Sequence, residues 1–240
     1  MNLFIDAGNT RIKYAGHDGR AHAEWLFHDA MSSNVSAQLV LPPGFAPQRV
    51  IAVSVASADV NAHIERQLAQ WPVTVEWFHA SEICDGLRNA YEDPAQLGAD
   101  RWAAAIGAWN RVKGACLVVG AGTATTIDII AADGVFAGGC ILPGLAMMQR
   151  SLASGTAALP LAAGTFTDVP RNTADAIFSG CLNAQLGAIA RMRAGLPAFA
   201  PVLLAGGAGE ALIDGIAGPV ERVPRLVLEG LLHGYASSGQ

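Results

Sequence analysis

The chain is poor in cysteine, poor in charge and without any cationic stretch. Its four cysteines, Cys84, Cys116, Cys140 and Cys181, lie far apart, with no Cys-x-x-Cys pair and no histidine at metal-ligand spacing. That argues against a disulfide framework and against a structural zinc site, and leaves reduced thiols. Charged residues make up only 15% of the chain, and the formal net charge is −5. Sequence-independent nucleic-acid binding works by displacing counterions with clustered Lys and Arg, and no such cluster is present. The phosphates of a small nucleotide need only one or two cations, so a nucleotide ligand stays open. No basic residue precedes the apolar start of MNLFIDAGNTRIK, and Asp6 interrupts it, so the segment does not read as a signal peptide. Charge-free windows such as 134–149 contain Gly or Pro and are too short for a bilayer. These absences point to a cytoplasmic protein with no membrane and no nucleic-acid partner. Two phosphate-binding signatures are missing as well: no GxxxxGK[ST] and no GxGxxG occurs.

What is present is a large apolar fraction, 52%, and 27 glycines in 240 residues. Such a chain can bury a core and make many tight turns. NLFIDAGNTRIKYAG reads as strand, glycine turn, strand, and AEWLFHD as a third strand. RVIAVSVAS, at 49–57, is a buried strand. DVNAHIERQLAQW follows with helical spacing of Val60, Ile64 and Leu68, then the strand VTVEWFH and the helix GADRWAAAIGAWNRV.

The pattern then restarts. ACLVVGAGTATTIDII is again strand, glycine turn, strand, and GVFAGGCIL offers a third. Helices follow around LAMMQRSLA and TADAIFSGCLNAQLGAIARMRAG. APVLLAGGAGEALIDGI is strand, glycine loop, helix, and RLVLEGLLHGYA is a last helix. IDAGNTRI and VGAGTATT superimpose with Gly8 on Gly122. A duplicated α/β unit explains the restart, and two unrelated glycine turns explain it equally at this point. The expected halves are residues 1–114 and 115–240.

Glycine turns of this kind offer backbone N–H groups and Thr or Asn side chains to phosphates. Asp6, at the end of the first strand, is either a turn cap or a carboxylate for Mg²⁺. Arg11 and Lys13 share one face of the second strand, because side chains two apart point the same way. They are either phosphate-side cations or ordinary solvated residues. Asp100 and Arg101 in GADRW are either a charged helix start or a substrate-holding pair.

The ordered set DAGNTRIK (6–13), GADR (98–101), AGTATTID (121–128), GGCILPG (138–144), TAALP (156–160) and NTADAIFSG (172–180) resembles bacterial type III pantothenate kinase over nearly the whole chain. The resemblance implies an α/β fold of two duplicated RNase H-like halves, with mixed five-stranded sheets and flanking helices. The halves belong to the acetate and sugar kinase/Hsp70/actin superfamily and enclose a nucleotide cleft. It implies ATP-dependent phosphorylation of pantothenate to 4′-phosphopantothenate, the first step of coenzyme A synthesis. Asp100 matches the family's proton acceptor. Gly98, Ala99, Arg101, Tyr91 and Thr173 match pantothenate contacts. Asp6, Ala7, Gly8, Asn9, Thr10, Arg11, Ile12 and Lys13 match the first ATP-phosphate loop, with Asp6 toward Mg²⁺, and Thr123 matches the second loop. The resemblance also implies a homodimer, to which the apolar helix around Ala176–Ile189 offers a face, and a monovalent cation, K⁺ or NH₄⁺. There is one departure. The family usually shows aspartate before AGT, where this chain has Gly120, so a strong cation ligand is missing.

Other readings compete with this one: another small-molecule kinase or a phosphatase of the same superfamily, a non-catalytic regulatory accessory factor, or an ATP-hydrolysing scaffold. GADR and NTADAIFSG favour the kinase, and the acidic charge disfavours direct DNA contact.

Overall fold

A computed structural model describes residues 1–19, 24–161 and 163–238. In chain order the strands and helices are β1 (Asn2–Ala7), β2 (Arg11–His17), β3 (Phe27–Ser32), β4 (Arg49–Ser54), α1 (Ala58–Leu68), β5 (Val75–Trp77), β6 (Ile83–Cys84), β7 (Leu87–Asn89), α2 (Ala99–Val112), β8 (Cys116–Ala121), β9 (Ala124–Ile130), β10 (Val135–Pro143), α3 (Leu145–Gly155), α4 (Thr173–Arg193), β11 (Val202–Ala205), α5 (Gly209–Leu212), β12 (Val220–Arg222) and α6 (Leu226–Ser238). The chain divides into two units. One is Met1–Arg111 with Arg225–Gln240, and the other is Val112–Pro224.

The first unit is built on a mixed sheet in the order β3-β2-β1-β4-β5. β1 is antiparallel to β2 and parallel to β4. Alternation along the strands sends Leu3, Ile5, Ile12, Tyr14 and Ala52 to one face, where they meet Val60, Ile64 and Leu68 of α1. Phe4, Ala15, Ile51 and Val53 line the other face, under Ala103 of α2 and Leu228 and Leu231 of α6. The alanine-rich run of α2 has a packing reason. A Cβ on Gly230 of α6 would collide with the Ala103 carbonyl, and one on Gly107 of α2 would meet the Leu226 carbonyl. These two helices approach backbone to backbone, and only small residues permit it.

The second unit repeats the plan. β8 to β12 lie in the order β10-β9-β8-β11-β12, with β8 antiparallel to β9 and parallel to β11. With β8 read as a new first strand, each unit is a 3-2-1-4-5 sheet. Gly8 and Gly122 both directly follow the first strand of their unit. The restart in the sequence is therefore a duplication of topology. One face of this sheet carries Leu117, Val119 and Ile127 against Ile177, Leu182 and Ile189 of α4.

Three expectations need adjustment. The last helix, expected within 115–240 as part of the second half, belongs to the first unit. Its apolar residues are compatible with either sheet by pattern, and the close Gly107–Gly230 approach and the Arg111–Glu229 pair tie it to the first unit. The third strand begins at Phe27, later than AEWLFHD suggests, and Ala23 of that segment lies outside the described residues. The helix after LAGGAGE is only α5, continued by a 3₁₀ turn at Ile213–Gly215.

Candidate active site

The site in the first unit starts from strand register. Asp6 and Lys13 are directly paired on β1 and β2, so both side chains rise from one face, and Lys13 Nζ lies 3.1 Å from Asp6 Oδ2. Asp6 is 7% exposed. The Ala7–Ile12 pair closes the loop between the strands, and Gly8 N–H donates to the Arg11 carbonyl at 3.0 Å. Ser33 fixes the outer side of the loop: its N–H donates to the Thr10 carbonyl and its hydroxyl to the Asn9 carbonyl. Asn9, Thr10 and Arg11 are exposed. Ala7 and Ile12 are fully buried on the opposite face, so only their backbones are available to a ligand.

The N-terminus of α2 faces the same side of the sheet as Asp6, because Ala103 of α2 packs on Phe4 and Ala15. Asp100 is the second residue of that helix, and its Oδ1 accepts from the Arg101 N–H at 2.8 Å. A Cβ on Gly98 would sit 2.9 Å from that oxygen, so glycine keeps the space open. Burial pushes the Asp100 carboxyl above the usual aspartate range. The charge of Asp6 pushes the same way, while the Arg101 backbone donor and charge oppose it. A carboxylate so placed is a better proton acceptor than a solvated one.

Arg101 is 5% exposed. Its Nη1 donates to the Tyr91 hydroxyl at 2.7 Å, and its guanidinium carbon lies 5.6 Å from the Tyr91 ring centre. Tyr91 is itself set by Asn89, whose side-chain oxygen accepts the Tyr91 N–H at 3.0 Å. The Asn89 amide donates to the carbonyls of Ser81 and Pro94. Asn89 went unnoticed in the sequence, where an Asx turn two residues before Tyr91 was its one signal.

In the second unit the polar features gather at the carboxyl ends of parallel strands, where ligands bind in sheets of this kind. The Gly122 N–H donates to the Ala124 carbonyl, and the Thr123 carbonyl accepts the Gly144 N–H at 2.9 Å. Gly206, with φ of +90°, approaches the Ala121 carbonyl so closely that no Cβ fits. Three glycine-bearing turns thus converge beside Thr123. Gly120 holds the strand position of Asp6, and its cross-strand partner is Thr126, where Asp6 has Lys13. A Cβ there would lie 2.7 Å from Thr126 Oγ1.

Thr173 is the exposed first residue of α4, beside the N-cap Asn172, whose Oδ1 accepts the Asp175 N–H. It lines a groove of about 890 Å³ together with Pro143, Met148, Leu152 and Ile177. Among the described residues no three His, Cys, Asp or Glu side chains cluster in a way that would hold a metal. Asp6 alone suits Mg²⁺, which keeps most of its waters and takes one or two carboxylates besides phosphate oxygens. Among the described residues no helix is long and apolar enough to cross a membrane.

Comparison with known proteins now decides the family. Residues 2–194 match the sequence profile of type III pantothenate kinase. A type III pantothenate kinase from Aromatoleum aromaticum is 50% identical over 238 residues, covering 96% of each chain. The chain belongs to the type III pantothenate kinase family. Among solved structures it is similar to one described as a conserved Baf family transcriptional activator from Campylobacter jejuni, with a TM-score of 0.67 and 20% identity over 99% of this chain and 98% of that one. It is also similar to a ROK family protein from Streptococcus pneumoniae in complex with sucrose, with a TM-score of 0.50 and 12% identity over 99% and 98% of the two chains. At such identities the likeness speaks to fold alone, and it agrees with the α/β architecture of two similar halves.

Proposed function

We propose that this protein transfers the γ-phosphoryl group of ATP to the primary hydroxyl of pantothenate, giving 4′-phosphopantothenate at the start of coenzyme A synthesis. The observation that carries this reading is Asp100. It is a half-buried carboxylate of raised proton affinity, held at a helix start beside the buried Arg101, which bonds the half-buried Tyr91, in a chain of this family. Asp100 accepts the proton of the hydroxyl as its oxygen attacks phosphorus. Arg101, buried and fixed by Tyr91, presents a guanidinium to the polar acceptor. Gly98 leaves the carboxylate its space, and the family motif assigns Ala99 and, at the start of α4, Thr173 to pantothenate as well.

The loop from Asp6 to Lys13 takes ATP phosphates through its backbone N–H groups and the charges of Arg11 and Lys13. Thr123 acts from the second glycine turn. Asp6 would hold Mg²⁺, which neutralises phosphate charge. The rest of the work is positioning, since phosphoryl transfer needs little covalent help. With Gly120 in place of aspartate, this strand position of the second unit lacks a carboxylate for K⁺ or NH₄⁺, and the reaction runs with little response to either. A homodimer in the cytoplasm completes the reading. α4 supports it by leaving the small residues Ala176, Gly180, Ala184 and Gly187 exposed along one side. The test is to incubate the protein with Mg·ATP and pantothenate and to weigh the product. Mass gain of one phosphate on pantothenate is expected. ADP release without it would transfer the reading to another acceptor.

A further inference from the structure

The glycine turn that carries Thr123 is held from behind by a side chain that no step of the kinase reading uses. Gln185 is fully buried on α4, on the same stripe as Cys181, Leu182 and Ile189. Its Nε2 donates to the Pro143 carbonyl at 2.6 Å and lies 3.2 Å from the Met148 sulfur. These two contacts bracket Gly144. Pro143 precedes it at the end of β10, and Met148 closes the first turn of α3 by donating its N–H to the Gly144 carbonyl at 2.9 Å. Gly144 in turn rests on the Thr123 turn. Its N–H donates to the Thr123 carbonyl at 2.9 Å, and a Cβ on it would collide with the carbonyls of Gly122 and Thr123. An unbroken path thus runs from Gln185 through Pro143 and Gly144 to Thr123, all inside the second unit.

An amide at this point is destabilising in one respect. Gln185 Oε1 is buried, and none of the described residues donates to it. Turning the amide over would set that oxygen against the Pro143 oxygen, so the carbonyl fixes its orientation. A methionine or leucine would fill a similar volume with no unpaired oxygen. What the glutamine adds over either is an N–H donor, and that donor goes to Pro143. We propose that Gln185 is a positioning residue for phosphoryl transfer: by holding the Pro143 carbonyl it fixes Gly144 against Thr123 and so sets the second turn for the nucleotide phosphates. The inference rests on the kinase reading, in which Thr123 meets ATP. Neutral donors of such a turn work only when held in place in advance, because no net charge draws them to the phosphate. Thr173, assigned to pantothenate on the same helix, lies about three turns or about 18 Å before Gln185. The effect is therefore confined to the nucleotide.

Calorimetric titration of the full chain with Mg·ATP, in the absence of pantothenate, tests it. Gln185→Met keeps the volume and removes the donor. It weakens Mg·ATP by roughly five- to tenfold, the ratio that one net hydrogen bond amounts to. In turnover it raises KM for ATP and leaves KM for pantothenate within about twofold. Gln185→Glu supplies a second readout should Gln185→Met not fold. Its buried carboxyl is neutral at low pH, where the O–H donates to Pro143, and ionised at high pH, where it cannot donate. Affinity for Mg·ATP relative to the unaltered protein at the same pH is thus nearly kept at low pH and falls as pH rises. Equal rises in both KM values with a lower Tm would mark a merely structural role and overturn the proposal. So would Gln185→Met affinity within about twofold of the unaltered protein, or a Gln185→Glu ratio that does not move with pH. Each of these leaves the kinase reading standing. An unaltered protein that binds no Mg·ATP overturns both.

Discussion

The two units share one sheet plan but place different chemistry at the same point. At the fifth residue of its first strand, the first unit has Asp6, paired to Lys13. The second has Gly120, paired to Thr126, with the threonine hydroxyl in the space a side chain would need. Around them the contrast continues. Charged groups (Asp6, Lys13, Asp100, Arg101) gather in the first unit, while the second offers backbone N–H groups, glycine turns and hydroxyls. A duplicated fold gives two copies of a ligand-binding edge, and each copy is free to specialise. In the proposed reaction one carries ions that change partner, and the other carries neutral donors that stay fixed.

If charge chemistry resides in the first unit, its carboxylates are the costly ones to remove. Asp100→Asn is expected to lower kcat by about 10²–10⁴-fold with ATP binding retained. The same change should raise Tm. Asp100 has a raised proton affinity in the folded state, so its ionised form weakens folding as pH rises through the folded pKa, and a neutral amide escapes that cost. A variant with normal turnover would end the proton-acceptor role, and a lower Tm would contradict the burial argument. The acid limb of the wild-type kcat profile should accordingly lie above the range of an ordinary aspartate. Next in size, Asp6→Asn should raise the Mg²⁺ concentration needed for half-maximal rate, read in a metal titration. An unchanged titration curve removes Asp6 from the metal.

The comparison is sharpened by moving a carboxylate across. Gly120→Asp alone should destabilise the second unit by about 1–3 kcal/mol, the usual cost of overpacking, because its Cβ meets Thr126 Oγ1. Gly120→Asp with Thr126→Ala should restore stability and give a stronger saturable response to K⁺ than the natural chain shows. Strong K⁺ activation of the natural chain would show that backbone carbonyls suffice. The smallest effect is expected from Tyr91→Phe, which frees Arg101 from one hydrogen bond. A several-fold rise in KM for pantothenate, with kcat nearly kept, is the measurement to make.

How much of this was legible in the sequence follows from the range of each signal. Strand–turn–strand openings and the helices at 58–68 and 99–112 were readable, because apolar period and glycine position are local. The destination of α6 was not, because a helix of mean apolar character fits either sheet. The hairpin of β6 and β7 was missed because its strands are two and three residues long, and its turn rests on Asp85 and Gly86, both at positive φ. Asp100 and Arg101 were readable as chemistry only through the family motif; their burial and the role of Asn89 belong to tertiary structure. Gly120 was visible as a departure, but that Thr126 fills its space depends on cross-strand register.

The return of α6 to the first unit has a consequence for synthesis. Phe4, Ala15, Ile51 and Val53 keep one apolar face open until α6 has left the ribosome, more than a hundred residues after α2. The intervening Val112–Pro224 stretch is continuous and can close on itself in the meantime. Order of emergence and order of completion are thus reversed: the part made first is finished last, and the nascent chain carries an uncovered sheet face that a chaperone has time to meet.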